Sequence, residues 1–259
     1  MDLFAAQPPK FCEAVLFGRP EYVNSISSVA MIAWGLPMLL FAPTQSLFAK
    51  LIASLLVTNG VGSFFFHWTG YPFWGYFDFF PMALGAVLSL QVLADMVLLE
   101  LVRDRRPRLY QLLSGGTFGL AMSYALVALI LRTEAEFAPL RPLLFFLPLL
   151  AVFGLMLVVR FRTHTEFVAD HPRLFALSQR ALLFGILAAA FWLSTELNCD
   201  RAPWLGYLHA HMFWHFGVTY SLVVFAQLIV YLQAPGLGYV PSVDWTRRGS
   251  LIMPIVRYL

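Results

Sequence analysis

The sequence predicts an all-α polytopic membrane protein, a seven-transmembrane helix bundle forming a single domain. Hydrophobic residues fill 60% of the 259 positions and charged residues only 12%, roughly half the charged share of a soluble globular domain. The apolar residues gather into runs of about 20, the length an α-helix needs to cross a bilayer. The basic residues fall mostly in alternate connections between those runs, as the positive-inside rule requires of a polytopic chain.

Residues 1–24 precede the first run and read as an extracytoplasmic segment. The stretch from Met1 to Glu13 lacks both the basic start and the apolar core of a secretory signal, so the first helix is expected to direct insertion itself. Apolar runs follow at 25–44, 49–67, 75–101, 110–131, 140–160, 174–195 and 204–232. Breakers separate them: Pro43, the Gly70 to Pro72 stretch, Pro107, Pro139 with Pro142, Pro172, and Pro203. Residues 233–259 mix Gly, Pro and charge and read as a cytoplasmic, solvent-side tail. No repeat or low-complexity tract interrupts the pattern. Gly115 and Gly119 have the spacing of a helix-packing pair, a common coincidence among 17 glycines.

Orientation follows from the cations. Lys50, Arg103, Arg105, Arg106, Arg108, Arg160, Arg162, Arg173, Arg180, Arg247, Arg248 and Arg257 fall on one side, against Lys10, Arg19, Arg132, Arg141 and Arg201 on the other. With the richer side inside, the N-terminus is extracytoplasmic and the C-terminus cytoplasmic, which an odd number of crossings satisfies. The net charge of +3 therefore reports topology. Its arginines are dispersed over several loops and form no stripe for a nucleic acid.

Five polar residues then stand at membrane depth: Ser63 and His67 closing the second helix, Asp78 opening the third, and His211 with His215 early in the seventh. All fall in the outer half of the bilayer. Ionisable groups there are costly unless paired or bound, so such a cluster reads as a functional site. Ser63 and His67, like His211 and His215, are four residues apart and share one helix face. Three neutral imidazoles on zinc leave a fourth tetrahedral position for water, the arrangement of catalytic zinc sites, and the metal lowers the pKa of that water to around 7. A carboxylate such as Asp78 can take the proton, and a hydroxyl such as Ser63 can stabilise an oxyanion. The set reads as a hydrolase. Serine is also common at helix interfaces, which is the competing reading of Ser63. His209 lies off the helical face of the pair and reads as interfacial or as a supporting partner of a ligand. His164 and His171 fall in an inner loop and read as solvated.

The segments Gly62-Ser63-Phe64-Phe65-Phe66-His67-Trp68-Thr69, Asp78-Phe79-Phe80-Pro81-Met82 and His211-Met212-Phe213-Trp214-His215 resemble the alkaline ceramidase family. So does the opening Phe11-Cys12-Glu13 leading to Glu21-Tyr22-Val23-Asn24-Ser25. The resemblance spans most of the chain. It implies a seven-helix zinc amidase of the superfamily that also holds the progestin and adipoQ receptors, with zinc on His67, His211 and His215 and with Ser63 and Asp78 as catalytic partners. The implied substrate is a membrane lipid, ceramide or a related long-chain lipid amide, yielding a fatty acid and a sphingoid base. Phe64, Phe65, Phe66, Trp68, Phe73 and Trp74 would serve as an acyl-chain wall or as interfacial anchors.

The resemblance also implies a calcium site (Ca2+) near the N-terminus, to which Glu13 and Glu21 would contribute. Lys10 stands where the family has Asp, the segment between the two glutamates is shorter and lacks the family's asparagine, and calcium takes six to eight oxygens. These departures count against a tight site, and pairing of the glutamates with Lys10 or Arg19 is the alternative. The two cysteines, Cys12 and Cys199, are both expected outside, where an oxidising compartment permits a disulfide; the resemblance implies one at matching positions, tethering the N-terminal segment over the site. Two other function classes remain open. A receptor-like relative would share the zinc residues but carry a cytoplasmic N-terminus, against the basic-loop count. A b-type haem protein would use opposed histidines and need no adjacent Asp. Short loops and the lack of a retention signal fit a bacterial inner membrane.

Overall fold

The computed structural model describes residues 4–5, 11–41, 46–94, 106–131, 154, 172–248 and 251–259. In chain order, its helices of six or more α-helical residues are α1 (Cys12–Phe17), α2 (Tyr22–Phe41), α3 (Leu47–Thr69), α4 (Pro72–Ala94), α5 (Pro107–Leu131), α6 (Pro172–Glu196) and α7 (Ala210–Gln233), with strands β1 (Pro241–Arg248) and β2 (Leu251–Tyr258) at the end. Among the described residues five helices are long and apolar enough to cross a membrane: α2, α3, α6, α7 and the Pro72–Val92 part of α4. The protein is a predominantly α-helical integral membrane protein. The run expected at 140–160 lies outside the described residues.

The breakers act as helix starts. Pro72, Pro107 and Pro172 each occupy the first position of a helix, where a missing N–H costs nothing and the fixed φ suits the helix. The hydroxyl of Ser46 accepts from Ala49 N at 3.2 Å to cap α3, while Gly70, with φ +74, closes that helix by donating its N–H to Phe66 O, a left-handed position that a side chain disfavours. Lys50 Nζ, from the first turn of α3, donates to Leu39 O at 2.6 Å and satisfies a carbonyl at the end of α2. The last span starts later than 204, because Pro203–Leu208 form a separate 3-10 turn before α7.

The chain divides into two units, one of Met1–Pro81 with Ala176–Leu259 and one of Met82–Phe175. In the first, α7 is the most enclosed span, with Val223, Val224 and Val230 fully buried, as expected of a helix apolar all round. Its neighbours approach closely through small residues: a Cβ on Gly60 of α3 would stand 2.7 Å from Ile32 Cγ1 of α2, and one on Gly185 of α6 would stand 2.7 Å from Ser221 Cβ of α7. Without such residues the backbones would separate. In the second unit, Gln91 Nε2 donates to Ser114 O and Oγ at 3.2 and 3.1 Å, joining α4 to α5. Gly115 and Gly119 have no described neighbour that a Cβ would touch within 4 Å.

The C-terminal segment, expected as an irregular tail, is an antiparallel hairpin in which Pro241 pairs with Tyr258 and Arg248 with Leu251. Met253, Ile255 and Val256 are buried. Val256 N donates to Oε1 of the fully buried Gln227 at 2.8 Å, and the Tyr258 hydroxyl donates to Val230 O at 2.9 Å. A polar side chain inside a span thus anchors an added element, which also protects both strand edges' partner groups on one side. Replacing Gln227 with Leu leaves a buried N–H without an acceptor, so the variant is expected to lose about 1–3 kcal/mol, read as a lower unfolding temperature in detergent.

Candidate metal centre

The site lies at the end of α7 opposite the hairpin and is assembled from the last turns of α3 and the first turns of α7. Asn59, Ser63 and His67 follow one another at four-residue spacing and are all buried, forming one polar stripe on α3. Gly62 lets that face press against α4, since a Cβ there would stand 2.6 Å from Asp78 N. Asn59 Nδ2 donates to the Asp78 carbonyl and, at 3.2 Å, to Asp78 Oδ1. The carboxylate is therefore oriented by a neighbour on α3. On α7, His211 and His215 occupy the first two turns, behind His209, whose left-handed backbone (φ +45) ends the 3-10 turn and starts the helix.

His67, His211 and His215 converge. One ligand atom from each lies within 4.8 Å of the others, and the ring centroids of His67 and His211, His67 and His215, and His211 and His215 are 4.8, 5.5 and 4.6 Å apart. Each ring faces a partner on the opposite side. His67 Nδ1 lies 2.7 Å from Glu21 Oε2, and a carboxylate only accepts, so Nδ1 carries the proton and Nε2 keeps its lone pair. That Nε2 is buried without a hydrogen-bond partner. The Ser27 hydroxyl lies 2.8 Å from His215 Nδ1 and 3.0 Å from Asn24 O. His211 Nδ1 faces Glu196 Oε1 at 3.7 Å. A buried, unpartnered Nε2 on His67 backed by Glu21, with a ring nitrogen of His211 and one of His215 within 4.8 Å, is the donor set of a metal ion held by imidazoles, and this set fits zinc.

The N-terminal segment closes over the centre. Phe11 packs on two of the three rings, 5.0 Å from His67 and 4.5 Å from His211 between centroids. Cys12 is joined to Cys199 by a disulfide across 187 residues of chain, and Glu196 Oε2 accepts from Cys12 N at 2.8 Å. The same glutamate therefore touches the strap and faces a histidine.

A ceramidase family model matches residues 11–256. The chain belongs to the ceramidase family. Membership makes it a hydrolase acting on amide bonds, with a ceramide-hydrolysing role. No curated protein matches it.

Within this ceramidase-family chain the other expected site residues fall as follows. Ser63 is fully buried, with its Oγ 3.0 Å from that of Ser28. Glu13 accepts from Val23 N and Asn24 N at 2.8 and 2.9 Å and so holds the start of α2. Glu21 Oε2 serves His67 and also accepts from Asn24 Nδ2 at 2.9 Å. Three of the four glutamate oxygens are thus engaged by protein donors. Burial alone would raise the Glu21 carboxyl, but the hydrogen bonds from His67 and Asn24 and the charge of Arg19 outweigh it and hold the group below its ordinary range. The His209 ring lies nearly parallel to that of Phe17, 6.1 Å away. Phe66 is buried beside the site, while Phe65 stacks on Trp74 and Phe64 on Trp68. His164, His171 and Lys10 lie outside the described residues.

Sequence reasoning missed Ser27, Ser28, Asn59 and Glu196. A signal existed for most of them: Asn24, Ser25, Ser27 and Ser28 crowd the start of an apolar span, and Asn59 continues the stripe of Ser63 and His67 by one turn. Glu21→Gln and Ser27→Ala each remove a hydrogen-bonding partner behind an imidazole, and each is expected to weaken the retention of any metal held by the three rings by roughly 10–100-fold, measured by competition with a chromophoric chelator.

Proposed function

We propose that the protein is a zinc-dependent amidase working within the membrane, which cleaves ceramide or a related long-chain lipid amide into a fatty acid and a sphingoid base. The observation carrying this reading is the convergence of His67, His211 and His215 with the buried, unpartnered Nε2 of His67 turned away from Glu21. His67, His211 and His215 would hold the ion. When bound there, zinc supplies Lewis acidity that makes a water acidic near neutral pH.

The chain's own groups do the rest. Asp78, held by Asn59, takes a proton from the attacking water as the new C–O bond forms and returns it to the nitrogen as the C–N bond breaks, so the amine leaves neutral. Ser63 donates to the carbonyl oxygen while it carries negative charge. Phe11 and the strap tied by Cys12 and Cys199 limit water around the reacting carbonyl. In the orientation that the basic residues favour, with seven spans and an extracytoplasmic N-terminus, the centre faces the outer leaflet and a lipid enters laterally past the aromatic cluster of Phe64, Phe65, Trp68, Phe73 and Trp74. A bacterial inner membrane suits that arrangement.

Purified protein is expected to contain one zinc per chain and to release fatty acid from a fluorescent ceramide. His211→Ala should lose both metal and activity, whereas Asp78→Asn should keep the metal and lose activity by about 100-fold or more. A protein that holds zinc but releases no fatty acid from any lipid amide or ester would assign the site to a receptor-like role instead.

A further inference from the structure

Glu21 is fully buried, and only one of its two oxygens is hydrogen bonded: Oε2 receives His67 Nδ1 and Asn24 Nδ2, while Oε1 has no hydrogen-bond partner. A buried carboxylate in that state needs a compensating cation. Arg19 lies two residues before it, with Nη1 3.6 Å from Glu21 Oε1. The guanidinium is itself mostly enclosed, its side chain 14% exposed. Nη1 donates to Phe66 O at 3.3 Å and the group sits 6.0 Å from the Phe66 ring centroid, yet Nε and Nη2 are buried without acceptors. Its place is made by Gly70, where a Cβ would stand 2.6 Å from Arg19 Cζ. An arginine brought into so confined a position, with two donors unserved, is poorly explained by hydrogen bonding alone. The acid it faces explains it.

We propose that Arg19 is a positioning residue for the metal centre: its fixed charge keeps Glu21 in place as the acceptor behind His67, and through it directs His67 Nε2 at the ion. This inference rests on the zinc reading of the three histidines. Because Arg19, Glu21 and His67 form one relay, removing the first two members together should cost no more than removing the second. A merely structural arginine would behave differently, since its loss would add to that of Glu21.

The test is a double-mutant cycle on the purified full-length chain, read as zinc affinity by chelator competition and accompanied by the unfolding temperature of the zinc-free protein. Arg19→Gln keeps a donor for Phe66 O but removes the charge and is expected to weaken zinc binding about tenfold. Arg19→Lys keeps the charge and should recover most of that affinity, which guards against a loss caused by misfolding. In a Glu21→Gln background, Arg19→Gln should produce no further loss. Additive losses, or equal losses from the Lys and Gln variants, would overturn the relay while leaving the zinc amidase intact. If the unaltered protein binds no zinc, the reading of the centre fails and takes the relay with it.

Discussion

An imidazole sealed inside a helix bundle has two nitrogens and must satisfy them in opposite directions. That constraint organises the end of the bundle that carries the histidines. For His67 and His215 the outward nitrogen meets Glu21 and Ser27, both from the start of α2 or the residue before it, although α2 contributes no histidine itself. Asn24 then serves several masters: its side chain donates to Glu21, its carbonyl accepts from Ser27, and its N–H is held by Glu13. The polar opening of α2 thus supports imidazoles carried by two other helices. Remove it and the rings could still be buried, but nothing would specify which way each lone pair points.

Close backbone approach is the second requirement, because short side chains such as Ser27 reach a neighbouring helix only if the helices nearly touch. Gly60 provides this between α2 and α3, and Gly62 does so between α3 and α4 beside Asp78. At the far end of α7 a different solution appears. There the bundle is finished by a β-hairpin, keyed to the span through Gln227 and the Tyr258 hydroxyl. The two ends are therefore built on separate polar networks, and between them Val218, Val223 and Val224 of α7 are buried in the apolar core.

Much of this was legible in the chain. Helix positions followed from apolar runs and proline, and the His67, His211 and His215 convergence followed from four-residue spacing at a matching depth. The partners behind the rings were harder to read, since a serine in a span is ordinarily an interface residue and nothing local marks Ser27 as facing His215, 188 residues away. Asn59 was visible only as an extension of a stripe already found. The hairpin was obscured by Pro241, Pro254 and mixed polarity, features that argue against a central strand but are tolerated in a two-stranded sheet where both strands are edges. Glu21 was singled out in the sequence as a calcium ligand. Its actual contact is an imidazole, a distinction set by tertiary placement rather than by residue type.

The bridge between Cys12 and Cys199 spans 187 residues, and the ring set likewise joins the second helix to the last. A nascent chain emerging from the ribosome therefore owns no centre until its final span is in the bilayer. Until that moment the earlier imidazole and its glutamate wait without their companions, and the leading segment must remain untethered. A chain cut short anywhere before α7 would lack two of the three imidazoles, however well its first helices had folded.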